Sequence, residues 1–279
     1  MIIRCWGARG SIPVSGEEYL HYGGDTTCLE IRSQDDEIII VDAGSGIRRL
    51  GNKLLAENRL HYTMLFTHAH WDHLMGFPFF KPIYMSGTSI SLFGCQFAQT
   101  SVKQMISRIM NPHHFPVNFE DIKVEITYHD SCSTIFGLNA LTVNTIPLSH
   151  PNQGVGYKFA ENGKNFIFLT DNELGYRHDG GLAYDDYVKF ADQADFLMHD
   201  AEFLEEDYQK TKTWGHSFYK QALQLAIDAK VKKLGLFHHN QERSDWAIDE
   251  IVLNCQRIIK EQQSPLECFA VYQDMLIEL

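Results

Sequence analysis

Short, wholly apolar runs alternate along this chain with stretches whose apolar residues recur every three or four positions. Five runs read as buried strands: Ile38-Ile39-Ile40-Val41, Thr63-Met64-Leu65-Phe66, Phe166-Ile167-Phe168-Leu169, Asp195-Phe196-Leu197-Met198 and Leu234-Gly235-Leu236-Phe237. The opening Met1–Gly7 segment reads as another. Three segments carry helical spacing. One runs from Phe218, with Ala222, Leu225, Ala226 and Ala229 on one face and Ser217 as its N-cap. A second runs from about Asp245 to Lys260, turning Ile248, Ile251, Val252, Cys255, Ile258 and Ile259 inward. The third holds Val102, Met105, Ile106, Ile109 and Met110, and Asn111-Pro112 ends it, because the residue before proline is pushed out of the helical region. Strands and helices mixed in this way predict an α/β protein whose sheets are covered by helices. No repeat, low-complexity tract or linker divides the chain, so residues 1–279 are expected to form one domain. Residues 79–119 are longer than a simple connection and are expected to form a cap insertion with aromatic faces, Phe79, Phe93, Phe97 and Phe115 among them.

The polar residues at the ends of the runs are more telling. Phe66-Thr67 leads to His68, Leu169-Thr170 to Asp171, Met198 to His199-Asp200, Phe237 to His238-His239, and Ile146-Pro147-Leu148-Ser149 to His150. Active sites commonly gather where strands end and loops begin. Five ends that each carry His or Asp predict one converging constellation.

His68-Ala69-His70-Trp71-Asp72-His73 places four metal-binding side chains in six residues. On a strand end, His68 and His70 point to one side, because side chains alternate with period two. After a turn at Trp71, Asp72 and His73 can face the same cavity from the start of a helix. Imidazole and carboxylate are donors that zinc and similar ions accept. Four such donors exceed what one open catalytic ion uses, so two adjacent ions are the simpler expectation. The bland alternative is a set of surface histidines near a turn.

This run is the signature of the metallo-β-lactamase superfamily, which the chain resembles over nearly its whole length. His150 in Leu-Ser-His-Pro, Asp171 in Leu-Thr-Asp-Asn and His238 in Leu-Phe-His-His follow in that superfamily's order. The resemblance implies an αββα sandwich, two mixed sheets flanked by helices, with two ions at one edge of the sheets. It implies that His68, His70 and His150 hold one ion, that Asp72, His73 and His238 hold the other, and that Asp171 bridges them. Asp42-Ala43-Gly44-Ser45-Gly46 resembles the first motif, whose aspartate supports the metal site from behind.

Three further elements resemble the RNase Z-like, cyclic-nucleotide-phosphodiesterase-like branch. Trp214-Gly215-His216-Ser217 resembles its Gly-His-Ser-Thr element, with Phe218 in place of threonine, and implies that His216 assists the leaving group. His199-Asp200-Ala201-Glu202-Phe203 resembles its His-Glu-Ala-Thr-Phe element, with Asp200 in place of glutamate as the acid that orients His216. Trp6–Pro13 and Tyr22–Cys28 resemble a bacterial and archaeal subgroup of small hydrolases. There Arg9 is a candidate phosphate clamp, and Thr26 and Thr27 are candidate hydrogen-bond donors to substrate. Tight turns between strands, and a surface ion pair for Arg9, are the competing readings.

Composition narrows the substrate. The formal net charge is −12. Proteins that grip long nucleic acid usually show a basic face, because phosphate contacts dominate that affinity. The six cysteines are scattered without a Cys-x-x-Cys pair, so free thiols are expected rather than disulfides or a cysteine metal site. No apolar run approaches the roughly 20 residues that span a bilayer, and Met1–Gly7 lacks the features of a signal peptide. A cytoplasmic enzyme without a membrane partner is expected, with a homodimer open. Its reaction is expected to be phosphodiester hydrolysis with Asp72, His216 and Asp200 as the catalytic group and zinc, or alternatively manganese, as the two ions. Paired ions lower the pKa of a shared water, and a protonated His216 would serve the leaving oxygen. A cyclic nucleotide or cyclic phosphate is the expected substrate. The alternatives are tRNA 3′ processing and, from another reaction class, thioester or lactone hydrolysis.

Overall fold

An apolar run without a polar face needs a partner on each side, and the architecture supplies both. The structure, a computed structural model, describes residues 1–94, 102–113, 115–130, 135–138 and 140–279. In chain order the elements of the first half are β1 (Ile2–Gly7), β2 (Cys28–Arg32), β3 (Ile38–Val41), α1 (Ile47–Ala56), β4 (His61–Leu65), α2 (Trp71–Leu74), β5 (Ser89–Gly94), α3 (Val102–Ile109) and β6 (Glu125–Asp130). The second half holds β7 (Ile135–Leu138), β8 (Leu141–Leu148), β9 (Gly154–Glu161), β10 (Lys164–Leu169), α4 (Tyr184–Ala191), β11 (Phe196–Asp200), α5 (Glu205–Thr211), α6 (Tyr219–Asp228), β12 (Lys233–Phe237), α7 (Asp245–Glu261), β13 (Glu267–Ala270) and β14 (Leu276–Glu278).

Two seven-stranded sheets result, ordered β14-β1-β2-β3-β4-β5-β6 and β13-β12-β11-β10-β9-β8-β7. Each is mixed. The strands from β3 to β6 run parallel, as do those from β10 to β13, and the remaining pairs are antiparallel. Alternation within the apolar runs then sorts the core. Ile39 and Val41 face the other sheet, where Phe166, Phe168, Phe196 and Phe237 meet them. Ile38 and Ile40 face outward onto Ile47, Leu50 and Leu54 of α1. On the second sheet Ile167, Leu169, Leu197, Leu234 and Leu236 face outward onto α4, α6 and α7. The layers are helix, sheet, sheet, helix: the expected αββα sandwich.

Three expectations change. The helix after His216 begins at Tyr219, not directly after Ser217. Ser217 does not cap it; its Oγ donates to Asn172 O (2.6 Å) and accepts from Leu174 N (3.0 Å), which ties two loops together. The next helix does start as expected, with Ser244 Oγ accepting from Ala247 N. The described part of residues 79–119 is not a detached cap. It supplies β5 between β4 and β6, and Phe80, Ile83, Ile90, Leu92, Ile106 and Met110 share the core under α1. Cys95, Phe97, His114 and Cys132 lie outside the described residues. Cys5, Cys28, Cys255 and Cys268 are buried free thiols. Among the described residues no helix is long and apolar enough to cross a membrane.

Candidate metal centre

Chain direction brings the site together. β3, β4, β10, β11 and β12 are parallel members of their sheets, and each is followed at its C-terminal end by polar site residues, where open sheets leave a crevice. Asp42 and His238 come immediately after such a strand and Asp171 one residue later, after Thr170, and each has a left-handed backbone, with φ of 62, 58 and 54°. Side chains that carry a Cβ resist this region, at a cost of order 1–3 kcal/mol each. Three such residues at three strand ends swing their side chains out of the strand direction and into one place. The six-residue run arrives from β4: His68 and His70 lie in the loop beyond the strand, and Asp72 and His73 sit in α2.

Two of the three donor groups there draw on the expected ligands, and the third joins Asp200, His216 and His238. His68, His70, His150 and Asp171 bring one atom each to within 4.8 Å of one another, and so do Asp72, His73, Asp171 and His238. Asp171 belongs to both. Its Oδ2 lies 3.4 Å from His68 Nε2 and 3.9 Å from His150 Nε2, while its Oδ1 lies 3.3 Å from His73 Nε2 and 3.4 Å from His238 Nε2. Asp72 Oδ2 stands 3.3 Å from His73 Nε2 and 3.1 Å from His238 Nε2. The seven residues expected to bind metal are thus brought together in two groups that share Asp171.

The outward nitrogens test whether cations fit. His73 Nδ1 pairs with Asp42 Oδ2 (2.8 Å), His238 Nδ1 with Glu202 Oε2 (3.0 Å) and His150 Nδ1 with Gly215 O (2.9 Å). An imidazole that donates from Nδ1 keeps its lone pair on Nε2, the arrangement found behind metal-binding histidines. His68 Nε2 and His73 Nε2 are buried without a hydrogen-bond partner. His150 Nε2 faces His70 Nδ1 at 2.9 Å. Buried polar atoms without partners are rare and call for an explanation; two divalent cations supply one.

Protonation differs between the groups. Burial pushes His68 and His70 down, and it pushes His150 down to about 3. Burial opposes charge on His73 and His238 as well, but Asp171 foremost, aided by Asp72 and other carboxylates, lifts both well above the usual range. Asp72 and Asp171 are held well below the carboxylate range; burial resists this, and the surrounding histidines outweigh it.

His216 lies beside the second group, with its ring stacked on His238 at 4.8 Å. Its Nδ1 is 3.4 Å from Asp200 Oδ2 and 3.3 Å from Glu202 Oε2. Asp200 is therefore near His216, as expected, but its oxygens also take Glu202 N (3.1 Å), Asn172 N (3.1 Å) and Ser217 N (3.2 Å). Glu202, to which sequence reasoning gave no role, meets His216 and His238 together. Its position in Asp200-Ala201-Glu202, one side-chain period beyond Asp200, was the available hint. Ser11 was also missed: its N–H donates to Asp72 Oδ2 (2.9 Å).

Arg9, Thr26 and Thr27 are corrected. Arg9 is fully buried, and its guanidinium donates to Gly23 O, Asn240 O and Arg243 O. It braces three loops and is neither a phosphate clamp nor a surface ion pair. Thr26 is buried and exchanges hydrogen bonds with Ser45 (2.9 Å each), pinning the loop after Asp42. Thr27 is buried too, and its carbonyl accepts from Gly44 N. His239 turns away to Val271 O (2.7 Å), which leaves the ligand position to His238.

Residues 38–239 match the family described as the beta-lactamase superfamily domain. A ribonuclease Z of Porphyromonas gingivalis is 22% identical over 307 residues, covering 93% of this chain and 94% of that protein. Among solved structures, the short form of human tRNase Z superposes with a TM-score of 0.67 at 19% identity, covering 100% of this chain and 99% of that one. A diphosphatase of the PhnP family superposes with a TM-score of 0.70 at 15% identity, covering 100% and 97%. At such identities the superpositions show the shared fold.

Proposed function

This chain belongs to the beta-lactamase superfamily domain family and is a hydrolase of that superfamily; from that premise we propose that it is a two-metal phosphodiesterase acting on a small phosphodiester, a cyclic nucleotide or cyclic phosphate. His68, His70 and His150 would hold one ion, Asp72, His73 and His238 the other, with Asp171 between them. When bound, such ions polarise the phosphoryl group and supply a water of lowered pKa. Histidine and aspartate donors suit zinc first and manganese second.

His216 carries the reading. Its side chain is 12% exposed, against 3% or less for His68, His73, His150 and His238. Burial disfavours its charge, yet Glu202 foremost, then Asp200 and Asp171, raises it to about 9. With its pKa so raised it would carry a proton at neutral pH, Nδ1 lying 3.3 and 3.4 Å from the Glu202 and Asp200 carboxylates, and Nε2 would serve a leaving oxygen. An alkoxide leaving group needs that proton, whereas a thiolate leaves without it. Trp71 and Trp214, 57% and 62% exposed, adjoin His70 and Gly215 in the chain and offer faces on which a base can stack. The net charge of −12 favours a small substrate over a long polyanion.

The similarity to ribonuclease Z over most of the chain favours a second reading, tRNA 3′ processing. A turnover panel on metal-loaded protein separates the two. It compares bis-p-nitrophenyl phosphate, 3′,5′- and 2′,3′-cyclic nucleotides, pre-tRNA and a thioester. Cyclic substrates are expected to turn over fastest. Salt-sensitive pre-tRNA cleavage above them would establish the second reading, and turnover of thioester alone would sink both. His216→Ala is expected to retain both ions and lose ~10²–10⁴-fold in phosphodiester turnover. Unchanged turnover with metals retained would remove the acid role.

A further inference from the structure

The loop that presents His216 hangs from one buried carboxylate. Glu173 is 1% exposed. Its Oε1 accepts from Thr213 N (2.8 Å) and from the Tyr208 hydroxyl (2.7 Å). Its Oε2 accepts from Gly215 N (2.8 Å) and lies 2.7 Å from His178 Nε2. Its own N–H donates to Ser149 O (2.8 Å), next to His150. A carboxylate has about four acceptor sites, and protein groups take all of them. No lysine or arginine pairs with it among the described residues; the basic side chain beside it is His178. A buried charge is costly unless its hydrogen bonds are made, so this concentration of bonds serves a position.

Gly215 is where the network meets the site. Its N–H goes to Glu173, its carbonyl accepts from His150 Nδ1, and the next residue is His216. Its backbone has φ +98°, and a Cβ there would lie 2.1 Å from His150 Nδ1, so only glycine fits against the His150 ring. Glu173 also follows Asp171 by two residues. One side chain thus ties the strand end that offers Asp171 to the loop that orients His150 and His216.

We infer that Glu173 is a positioning residue: through Gly215 it sets the direction in which His150 presents Nε2 and the place where His216 stands. Glu173 touches neither substrate nor ion. The inference rests on the two-metal phosphodiesterase reading, since it gives Glu173 work only if His150 and His216 have theirs.

Glu173→Gln tests it with little change of shape. The amide oxygen can still serve Thr213 and Tyr208, but the amide NH₂ then confronts Gly215 N–H, which loses its acceptor. Turnover is expected to fall ~10–100-fold with KM changed much less, and the affinity for one of two zinc ions, measured by chelator competition, is expected to fall by a similar factor. In cobalt-loaded protein the visible absorption of the affected site should shift. A variant with both zinc affinities and kcat as in the parent, and only a lowered Tm, would reduce Glu173 to a fold-stabilising residue. If Glu173→Gln does not fold, Glu173→Asp carries the same test, because a carboxylate one methylene shorter cannot reach Thr213 N and Gly215 N together. A parent protein that binds fewer than two ions, or that turns over no phosphodiester, overturns the preceding reading instead.

Discussion

His68, His70 and His150 gather at one oxygen of Asp171, whereas Asp72, His73 and His238 gather at the other. The two halves draw on the same six-residue run plus one distant histidine each, yet they are backed differently. In the first half, neutral groups do the orienting: Gly215 O behind His150 and the Thr67 hydroxyl (3.0 Å) beside His68 Nδ1. In the second, buried carboxylates do it: Asp42 behind His73 and Glu202 behind His238. A carboxylate behind an imidazole raises its basicity as a ligand. The pKa directions differ as well: burial takes the histidines of the first half down, whereas Asp171 foremost, joined by Asp72 and the carboxylates behind, lifts those of the second. Without metal, the first half presents bare lone pairs at neutral pH, while the second holds protons amid an excess of buried negative charge. Identical donor types therefore make two unequal seats.

The largest effect should come from the residue that both halves share. Asp171→Asn removes the bridging charge, and turnover is expected to fall by more than ~100-fold, with both ions lost on dialysis. One ion retained at parental affinity would show that the halves are independent and that Asp171 serves only one of them. Asp42→Asn sharpens the contrast. It weakens the direct partner of His73 and reaches His68 only through the Thr67 hydroxyl, so chelator competition should show one ion weakened ~10–100-fold and the other nearly unchanged. Equal weakening of both would erase the distinction. Asp42 also accepts from Thr67 N (2.8 Å) and from the Thr67 hydroxyl (2.7 Å), so a stability loss of roughly 1–3 kcal/mol should accompany the change.

How much of this was legible follows from the range of each interaction. The apolar runs announce strands buried on both faces, because every position of Ile38–Val41 is apolar, and the strand ends announce the donors. Six residues in a row carry half the centre, so it reads directly from the chain. β5 escaped notice because Ser89-Ile90-Ser91-Leu92 is a short alternation inside a segment that its length marked as an insertion. The pairing of β1 with β14 joins the two ends of the chain and leaves no local signature. Arg9 looked like a clamp because the carbonyls that occupy it lie 14, 231 and 234 positions away. Glu173 acts on backbone amides of a distant loop and Glu202 on distant histidines, and only the Asp200-Ala201-Glu202 spacing hints at the second. The donors were legible because their chemistry is local; the residues that orient them were not, because their partners are set by tertiary structure.

Acidification provides the gentlest way to pull the halves apart. Imidazole binds a metal only as the neutral base, so protons compete with the ion wherever the metal-free histidine would be charged. His73 and His238 are raised well above the ordinary histidine range, by Asp171 foremost, so protons compete for them first. Each proton displaced lowers apparent affinity about tenfold per unit fall in pH. His150, depressed to about 3, and His68 and His70, also depressed, are already neutral at pH 7. Their ion meets proton competition only in far stronger acid. Equilibrium dialysis at descending pH should therefore show two steps, the ion of the second half leaving first with a slope of at least about tenfold per unit while the first half stays filled. The Asp42→Asn variant identifies the step, because its weakened ion should be the one that leaves early. Loss of both ions in one step, or early loss of the ion that Asp42→Asn leaves untouched, would mean that the buried carboxylates hold the second ion more strongly than protons can contest it.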